Sequence, residues 1–326
     1  MQVEIPQTHE LAKFADRHKA IAANIAQVIQ GKREVIDLLI ACLLAEGHVL
    51  IEDVPGVGKT QLAKSLARSI ESTFQRIQFT PDLLPSDITG VSIWNRQTSE
   101  FEFKPGAIFA NVVVGDEINR ASPKTQAALL EAMEERQVTV DGTTRSLAPP
   151  FMVIATQNPL EHEGTYPLPE AQLDRFMMRL VIGYPDRSDS ISILDRHGMT
   201  SRFDEIKPVV SGADINDMIL VARRIHVADS VREYIVDLIE GTRRNAEIML
   251  GASPRSALFI QRVSRARAAM DGRDYVTPDD VKLVAGPVLS HRMILRPEAH
   301  MRGTTMDSVI ESVLSHLRVP GMSKPA

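Results

Sequence analysis

The stretch Glu52-Asp53-Val54-Pro55-Gly56-Val57-Gly58-Lys59-Thr60 decides how this chain is read. It joins an apolar run, His48-Val49-Leu50-Ile51, to a segment of helical character that begins at Gln61 and continues to Ser69. A Lys-Thr pair after spaced glycines, set between a strand and a helix, is the context in which a chain wraps a nucleoside triphosphate. Gly56 and Gly58 let backbone N–H groups turn toward phosphate oxygens with no Cβ in the way, and the following helix aims its N-terminus at the same charge. Lys59 then reaches the outer phosphates and Thr60 offers its hydroxyl to Mg²⁺. The predicted nucleotide contacts run from Asp53 through the loop to Gln61. The usual pattern begins with glycine, and Asp53 stands in that place; a chance Gly-x-Gly-Lys-Thr is the alternative, which the rest of the chain has to decide.

The chain has 326 residues, of which 44% are hydrophobic and 24% charged, enough to build one large core or two ordinary ones. Its single cysteine, Cys42, lies in the apolar run Leu38-Leu39-Ile40-Ala41-Cys42-Leu43-Leu44, which rules out an intramolecular disulfide and points to core packing. Met1-Gln2-Val3-Glu4 shows no basic region followed by an apolar one, and no uncharged apolar run approaches the ~20 residues of a membrane helix. These features predict a soluble, cytoplasmic protein with no membrane span. A formal charge of -5 argues against a general nucleic-acid binder, although a local basic pore stays open.

Helical spacing over residues 11–29 breaks at Gly31 and resumes over residues 34–44. Apolar strands follow at residues 48–51, 74–79, 111–115, 151–155 and 177–182, with a helix over residues 125–135 between two of them. Asp141-Gly142 between residues 137–140 and 144–147 is the strongest hairpin signal in the chain. Residues 81–104, with Pro81, Pro85, Gly90 and Trp94, read as a hairpin-bearing insertion. Unbroken apolar strands alternating with helices predict an α/β domain with a mostly parallel sheet, covered on both faces. After a linker at Tyr184-Pro185-Asp186, helical patterns at residues 188–197, 215–225, 231–244, 255–270 and 278–288 predict a small helical bundle with no comparable strand. Thr277-Pro278-Asp279-Asp280 is a clear helix start.

Val112-Val113-Val114-Gly115-Asp116-Glu117 sets two acids at the carboxyl end of a buried strand, where α/β sheets place their ligands. Asp116 suits Mg²⁺, directly or through water, and Glu117 suits the orientation and deprotonation of an attacking water. A solvated rim would carry the same pair, but its coupling to the glycine loop favours the chemical role. Ala155-Thr156-Gln157-Asn158-Pro159 ends another strand with an amide, and Asn158 can donate to a γ-phosphate and accept from a water. Asn-Pro is also an ordinary turn opener. His162 and His197 have no carboxylate at metal spacing, so no protein-only metal site is assigned. Arg262, Arg265 and Arg267 form a basic helix side that reads as a solvated face ahead of a nucleic-acid contact. Trp94, Phe101 and Phe103 are either partner contacts or packing of the insertion onto its own domain.

Taken together these residues resemble the AAA+ ATPases. Asp116-Glu117-Ile118-Asn119-Arg120-Ala121 and Gly164-Thr165-Tyr166-Pro167-Leu168-Pro169-Glu170-Ala171-Gln172-Leu173-Asp174-Arg175-Phe176 resemble the MoxR family in particular, and the likeness extends from Gly31 to about Arg292. In that family the loop variant with Asp53 is usual. The resemblance implies a P-loop core with a five-stranded sheet over residues 1–184, carrying an insert near residues 83–106, and an all-α lid over residues 185–326. It implies Asn158 as first sensor, Arg175 as arginine finger, Arg255 within Gly251-Ala252-Ser253-Pro254-Arg255 as second sensor, and Gly31 and Lys32 near the adenine. Arg255 is expected at the head of a helix capped by Ser253, and Arg175 is expected to reach a neighbouring subunit's nucleotide. A fixed, forked cation suits the charge spread over a transferring phosphoryl group. The implied activity is Mg²⁺-dependent ATP hydrolysis in a hexameric ring. The implied work is chaperone-like remodelling of a partner protein or maturation of a metalloenzyme complex, together with a von Willebrand factor type A domain protein. The competing readings are a nucleotide-gated scaffold with little turnover and a nucleic-acid motor of the same architecture.

Overall fold

The computed structural model describes residues 5–158, 164–191 and 206–320. His162, His197, Pro159 and the later part of the helix expected over residues 188–197 lie outside the described residues. Five strands, β1 (Val49–Glu52), β2 (Phe74–Gln78), β5 (Val112–Asp116), β8 (Met152–Gln157) and β9 (Met178–Leu180), form a sheet of order β2-β5-β8-β1-β9. Every pairing in it is parallel. Because side chains alternate across a strand, the apolar runs feed two cores. Val49, Ile51, Val112, Val114, Met152 and Ile154 point into one, shared with α1 (Thr8–Ala26), α2 (Arg33–Leu44) and α3 (Lys59–Ser69). Leu50, Val113, Val153 and Ala155 point into the other, against α5 (Pro123–Glu135). Cys42 is fully buried in the first core, and burial pushes its thiol well above the ordinary range.

Two hairpins leave this layer. β6 (Gln137–Val140) and β7 (Thr143–Ser146) turn at Asp141-Gly142, both with positive φ, 51° and 73°, as a two-residue turn matched to the strand twist requires. The insertion folds as a short helix, α4 (Pro85–Thr89), and a second hairpin of β3 (Val91–Asn95) and β4 (Glu100–Lys104). Phe103 at its root packs edge-on to Phe109 with centroids 5.6 Å apart, and the Arg145 guanidinium lies 3.8 Å from the Phe103 centroid. Trp94 and Phe101 contact each other at 5.1 Å and stay exposed. Phe103 therefore packs the insertion onto its own domain, while Trp94 and Phe101 lie outside that packing.

After the short helix α6 (Glu170–Leu173), the lid is built from α7 (Gly212–Arg224), α8 (Asp229–Arg244), α9 (Pro254–Met270) and α10 (Pro278–Leu289), followed by α11 (Pro297–Met301) and α12 (Met306–His316). Thr277 caps α10 as expected, its hydroxyl accepting from the Asp280 N–H at 3.4 Å, and Pro278 takes the first position. Three features depart from the sequence reading. A two-stranded antiparallel ribbon, β10 (Ile248–Leu250) with β11 (Ile294–Leu295), sits inside the otherwise helical lid, too short to show a period of two. The last two helices lie beyond the patterns read. Ser253 stands at the N-cap of α9 without a side-chain capping bond; its hydroxyl lies 3.3 Å from the Ser256 hydroxyl and 3.4 Å from an Asp174 carboxylate oxygen on the sheet domain. Among the described residues no helix is long and apolar enough to cross a membrane.

Candidate active site

β1 ends at Glu52, and the chain turns through Asp53, Val54, Pro55, Gly56, Val57 and Gly58 before α3 starts at Lys59. Gly56 and Gly58 have φ of 85° and 92°, a region that L side chains rarely adopt. A Cβ on Gly56 would meet nothing within 4 Å, so it is the backbone conformation that demands glycine there. Asp53 explains its own departure from the usual glycine. One carboxylate oxygen accepts from the Val54 N–H at 2.7 Å; the other accepts from Ile182 at 2.8 Å and Gly183 at 2.7 Å. The first loop residue is thereby fastened to the chain leaving β9, and its carboxylate is committed to backbone amides. Any contact of Asp53 with a nucleotide would have to come from its main chain.

The Lys59 ammonium donates to the Asp53 carbonyl at 2.5 Å and the Gln157 carbonyl at 3.4 Å, between the carboxyl ends of β1 and β8. The Thr60 hydroxyl donates to Asp116 at 3.2 Å. Asp116 is buried, and its other oxygen accepts from Thr156 at 3.3 Å. Glu117 leaves β5 with φ 59° and ψ 51°; its N–H is held by the Thr156 hydroxyl at 3.0 Å. The Glu117 carboxylate accepts from Gln78 at 2.8 Å and pairs with Arg120 at 3.2 Å. Asn158 is buried at the end of β8, beside Lys59's carbonyl partner, and Gln61 stands exposed on the first turn of α3. The phosphate-loop cation, the hydroxyl, both acids and the amide thus meet at the carboxyl ends of β1, β5 and β8.

Residues the sequence reading left out complete this site. Arg76, on β2, donates to Asp116 at 2.6 Å and to Gln78 at 3.0 Å. Arg76 and Gln78 lie on one face of an edge strand beside β5, and that alternation next to a strand ending in acids is the signal that could have found them. Gly31 and Lys32 also come to the loop's neighbourhood. A Cβ on Gly58 would lie 3.6 Å from Ile29, and Lys32 donates to the Tyr184 carbonyl at 2.8 Å, one residue past Asp53's partner Gly183. Gly31 has φ 68°, and a Cβ there would overlap the Asp189 carboxylate.

Arg175 and Arg255 are elsewhere. Arg175 Nε lies 3.2 Å from one oxygen of Glu134, and Arg255 Nη2 donates to the other at 2.5 Å. Glu134 follows Met133, whose carbonyl is 3.0 Å from the His48 ring, at the amino end of β1. The four residues of β1 span about 13 Å, so the two arginines share a carboxylate at the end of the sheet opposite the phosphate loop. Arg255, expected as the second sensor, joins Arg175 there, away from the phosphate loop of its own chain. On the basic helix side, Arg262 lies 3.6 Å from Glu46 and Arg267 lies 3.5 Å from Asp271, while the Arg265 Nε is buried without a hydrogen-bond partner.

The residues present fit a nucleoside triphosphate with a divalent cation: glycines in left-handed conformation at a helix N-terminus, a lysine on two carbonyls, and a hydroxyl converging with a buried carboxylate. Comparison with known proteins agrees. Residues 48–178 match the ATPase family associated with various cellular activities (AAA), and residues 240–313 match the AAA lid domain. The chain is 50% identical over 297 residues to YeaC of Bacillus subtilis, covering 91% of this chain and 93% of that protein. It is 40% identical over 306 residues to Chaperone MoxR1 of Mycobacterium tuberculosis, covering 91% and 81%. It is 30% identical to Protein MoxR of Methylorubrum extorquens, covering 90% and 92%. A crystal structure from Cytophaga hutchinsonii superposes with a TM-score of 0.89 at 38% identity, covering 95% of this chain and 97% of that one. With the fold, the loop and the relatives in agreement, the chain belongs to the MoxR family of AAA+ ATPases.

Proposed function

We propose that this chain hydrolyses ATP with Mg²⁺ in a cytoplasmic hexameric ring and uses the turnover to remodel a partner protein or mature a metalloenzyme complex. A von Willebrand factor type A domain protein is the proposed partner. The observation that carries the reading is the convergence of Lys59, Thr60, Asp116, Glu117 and Asn158 at neighbouring strand ends. Thr60 and Asp116 would hold Mg²⁺, which when bound neutralises charge developing on the phosphates. Lys59 binds the outer phosphates, exchanging carbonyl partners for charged ones. Glu117 takes the proton of the attacking water, and the Asn158 amide orients that water against the terminal phosphate. Arg175 and Arg255, at the far end of the sheet, serve the nucleotide of the next subunit.

One observation favours slow basal turnover, as in a nucleotide-gated scaffold: Gln78 and Arg120 both hold the Glu117 carboxylate and must release it before it can meet a water. Phosphate release by the purified chain, alone and with a candidate partner, separates the two readings. Lys59→Ala is expected to abolish tight ATP binding in a nucleotide titration while the melting curve is kept. Unchanged affinity would remove the nucleotide site from the proposal, and salt-dependent binding to DNA or RNA would favour the motor reading.

A further inference from the structure

Arg292 follows α10 in the lid and is one of the few charged residues the fold buries, its side chain about 1% exposed. A buried guanidinium is costly unless its donors are satisfied. Nε donates to the Asp174 carboxylate at 2.9 Å; Nη1 donates to the Met177 carbonyl at 3.2 Å and to the Val288 carbonyl; Nη2 donates to the Asp174 carbonyl at 3.2 Å and to the Phe176 carbonyl. Each of arginine's five N–H donors thus has an acceptor, and Nη1 lies in addition 2.7 Å from His291 Nε2. Burial lowers its proton affinity, to about 10, while Asp174 opposes the fall, so the group stays a cation at neutral pH. The Phe259 ring of α9 lies 4.9 Å away, and a nitrogen of the buried His291 ring is 3.0 Å from the Phe176 carbonyl.

Three of these acceptors, the carbonyls of Asp174, Phe176 and Met177, flank Arg175 on both sides. The lid therefore grips the backbone that carries Arg175, and it does so through a rigid planar fork that a point charge cannot imitate. Arg255, also from the lid, holds the Glu134 carboxylate that Arg175 holds. We propose that Arg292 is a positioning residue that makes the placement of Arg175 depend on the lid of its own chain, so that one subunit's lid position is passed to the next subunit's nucleotide. This rests on the reading that Arg175 serves the neighbouring site.

The test uses mixed rings. Lys59→Ala chains keep Arg175 but lack a working pocket, and Arg175→Ala chains keep the pocket; verified mixed rings of the two should regain part of the ATPase activity. Arg292→Met is then placed on one parent at a time. On the Lys59→Ala chain, which supplies Arg175, it should lower the regained turnover by ~10- to 100-fold, the scale of a group misplaced by about 1 Å, with KM for ATP changed less than ~3-fold. On the Arg175→Ala chain it should change turnover less than ~3-fold, since that chain supplies no Arg175 to any working pocket. An equal loss in both arrangements, or none in either, overturns the proposal. If the parent mixture itself stays inactive although mixed rings form, the shared-site reading fails and this inference with it. Should Arg292→Met not assemble, Arg292→Lys keeps the charge on Asp174 while losing the fork. The same asymmetry should then appear at smaller amplitude, with faster amide exchange at residues 176–178, and its absence is equally decisive.

Discussion

The two ends of the parallel sheet are built by different means. At the carboxyl ends of β1, β5 and β8 the parts come from short runs, Asp53 to Thr60, Asp116-Glu117 and Asn158, each delivered by the strand that precedes it. At the amino end the parts come from far apart in sequence: Glu134 meets Arg255 across 121 residues and Asp174 meets Arg292 across 118. The first end is fixed by backbone geometry within one layer. The second is fixed by charge between the sheet domain and the lid, so it holds only while those two stay in register.

The sharpest way to break this contrast is to remove one group from each end. Glu117→Gln should keep Mg²⁺-ATP binding and slow hydrolysis by at least ~100-fold, because the carboxylate that takes the proton is gone while the loop is intact. That loss should be the same in every chain of a ring. Arg175→Ala should also bind ATP nearly normally and fail to hydrolyse it, yet recover in part when mixed with Lys59→Ala chains. Phosphate release by homogeneous and mixed rings reads both. Wild-type turnover by Arg175→Ala alone would dissolve the distinction between the two ends.

A smaller effect sharpens the account of the loop. Asp53→Gly restores the commoner phosphate-loop residue, and on motif alone it should be harmless. The carboxylate, however, accepts from three backbone N–H groups, of which those of Ile182 and Gly183 tie the loop to the chain leaving β9. Removing a charged acceptor and leaving part-buried donors unpaired should cost about 3 kcal/mol, seen in denaturant unfolding, and should weaken ATP binding by loosening the loop. No change in unfolding midpoint would mean that these bonds are incidental.

The same contrast governs what sequence reading could reach. Strand runs, the glycine loop, the Asp141-Gly142 turn and the acids after β5 are legible because each signal is local and has a period or a fixed spacing. Arg76 and Gln78 escaped because polar residues on an edge strand look like a solvated face; only the register with β5 brings them to Asp116 and Glu117. Arg292 escaped because a buried arginine contradicts the ordinary expectation for that residue, and its acceptors are mostly carbonyls, which a sequence does not mark. Ser253 departs from its pattern in a related way: its position predicts a cap, while its hydroxyl contacts Ser256 and Asp174, the latter in the other domain.

The smallest expected effect concerns the insertion, which belongs to neither end. Ser92, Trp94, Phe101 and Phe103 lie on one face of the β3–β4 hairpin, since Ser92 pairs with Phe103 and Trp94 with Phe101. Burial along that face is graded. Phe103 is half-buried against Phe109 and Arg145, while Trp94 is 49% exposed and Phe101 72% exposed. Phe103→Ala should therefore lower stability by about 1–2 kcal/mol through lost apolar burial, whereas Trp94→Ala and Phe101→Ala should stay within ~0.5 kcal/mol of the wild type. Trp94 is the sole tryptophan, so its fluorescence reports on this face alone. In the isolated chain the emission should be red-shifted and open to acrylamide quenching. If the outer half of the hairpin is a contact surface, ring assembly or addition of a partner should shift the emission to the blue and shield it. Emission already blue-shifted and shielded in the isolated chain would instead mean that Trp94 packs onto its own domain as Phe103 does, and the graded division of the face would be wrong.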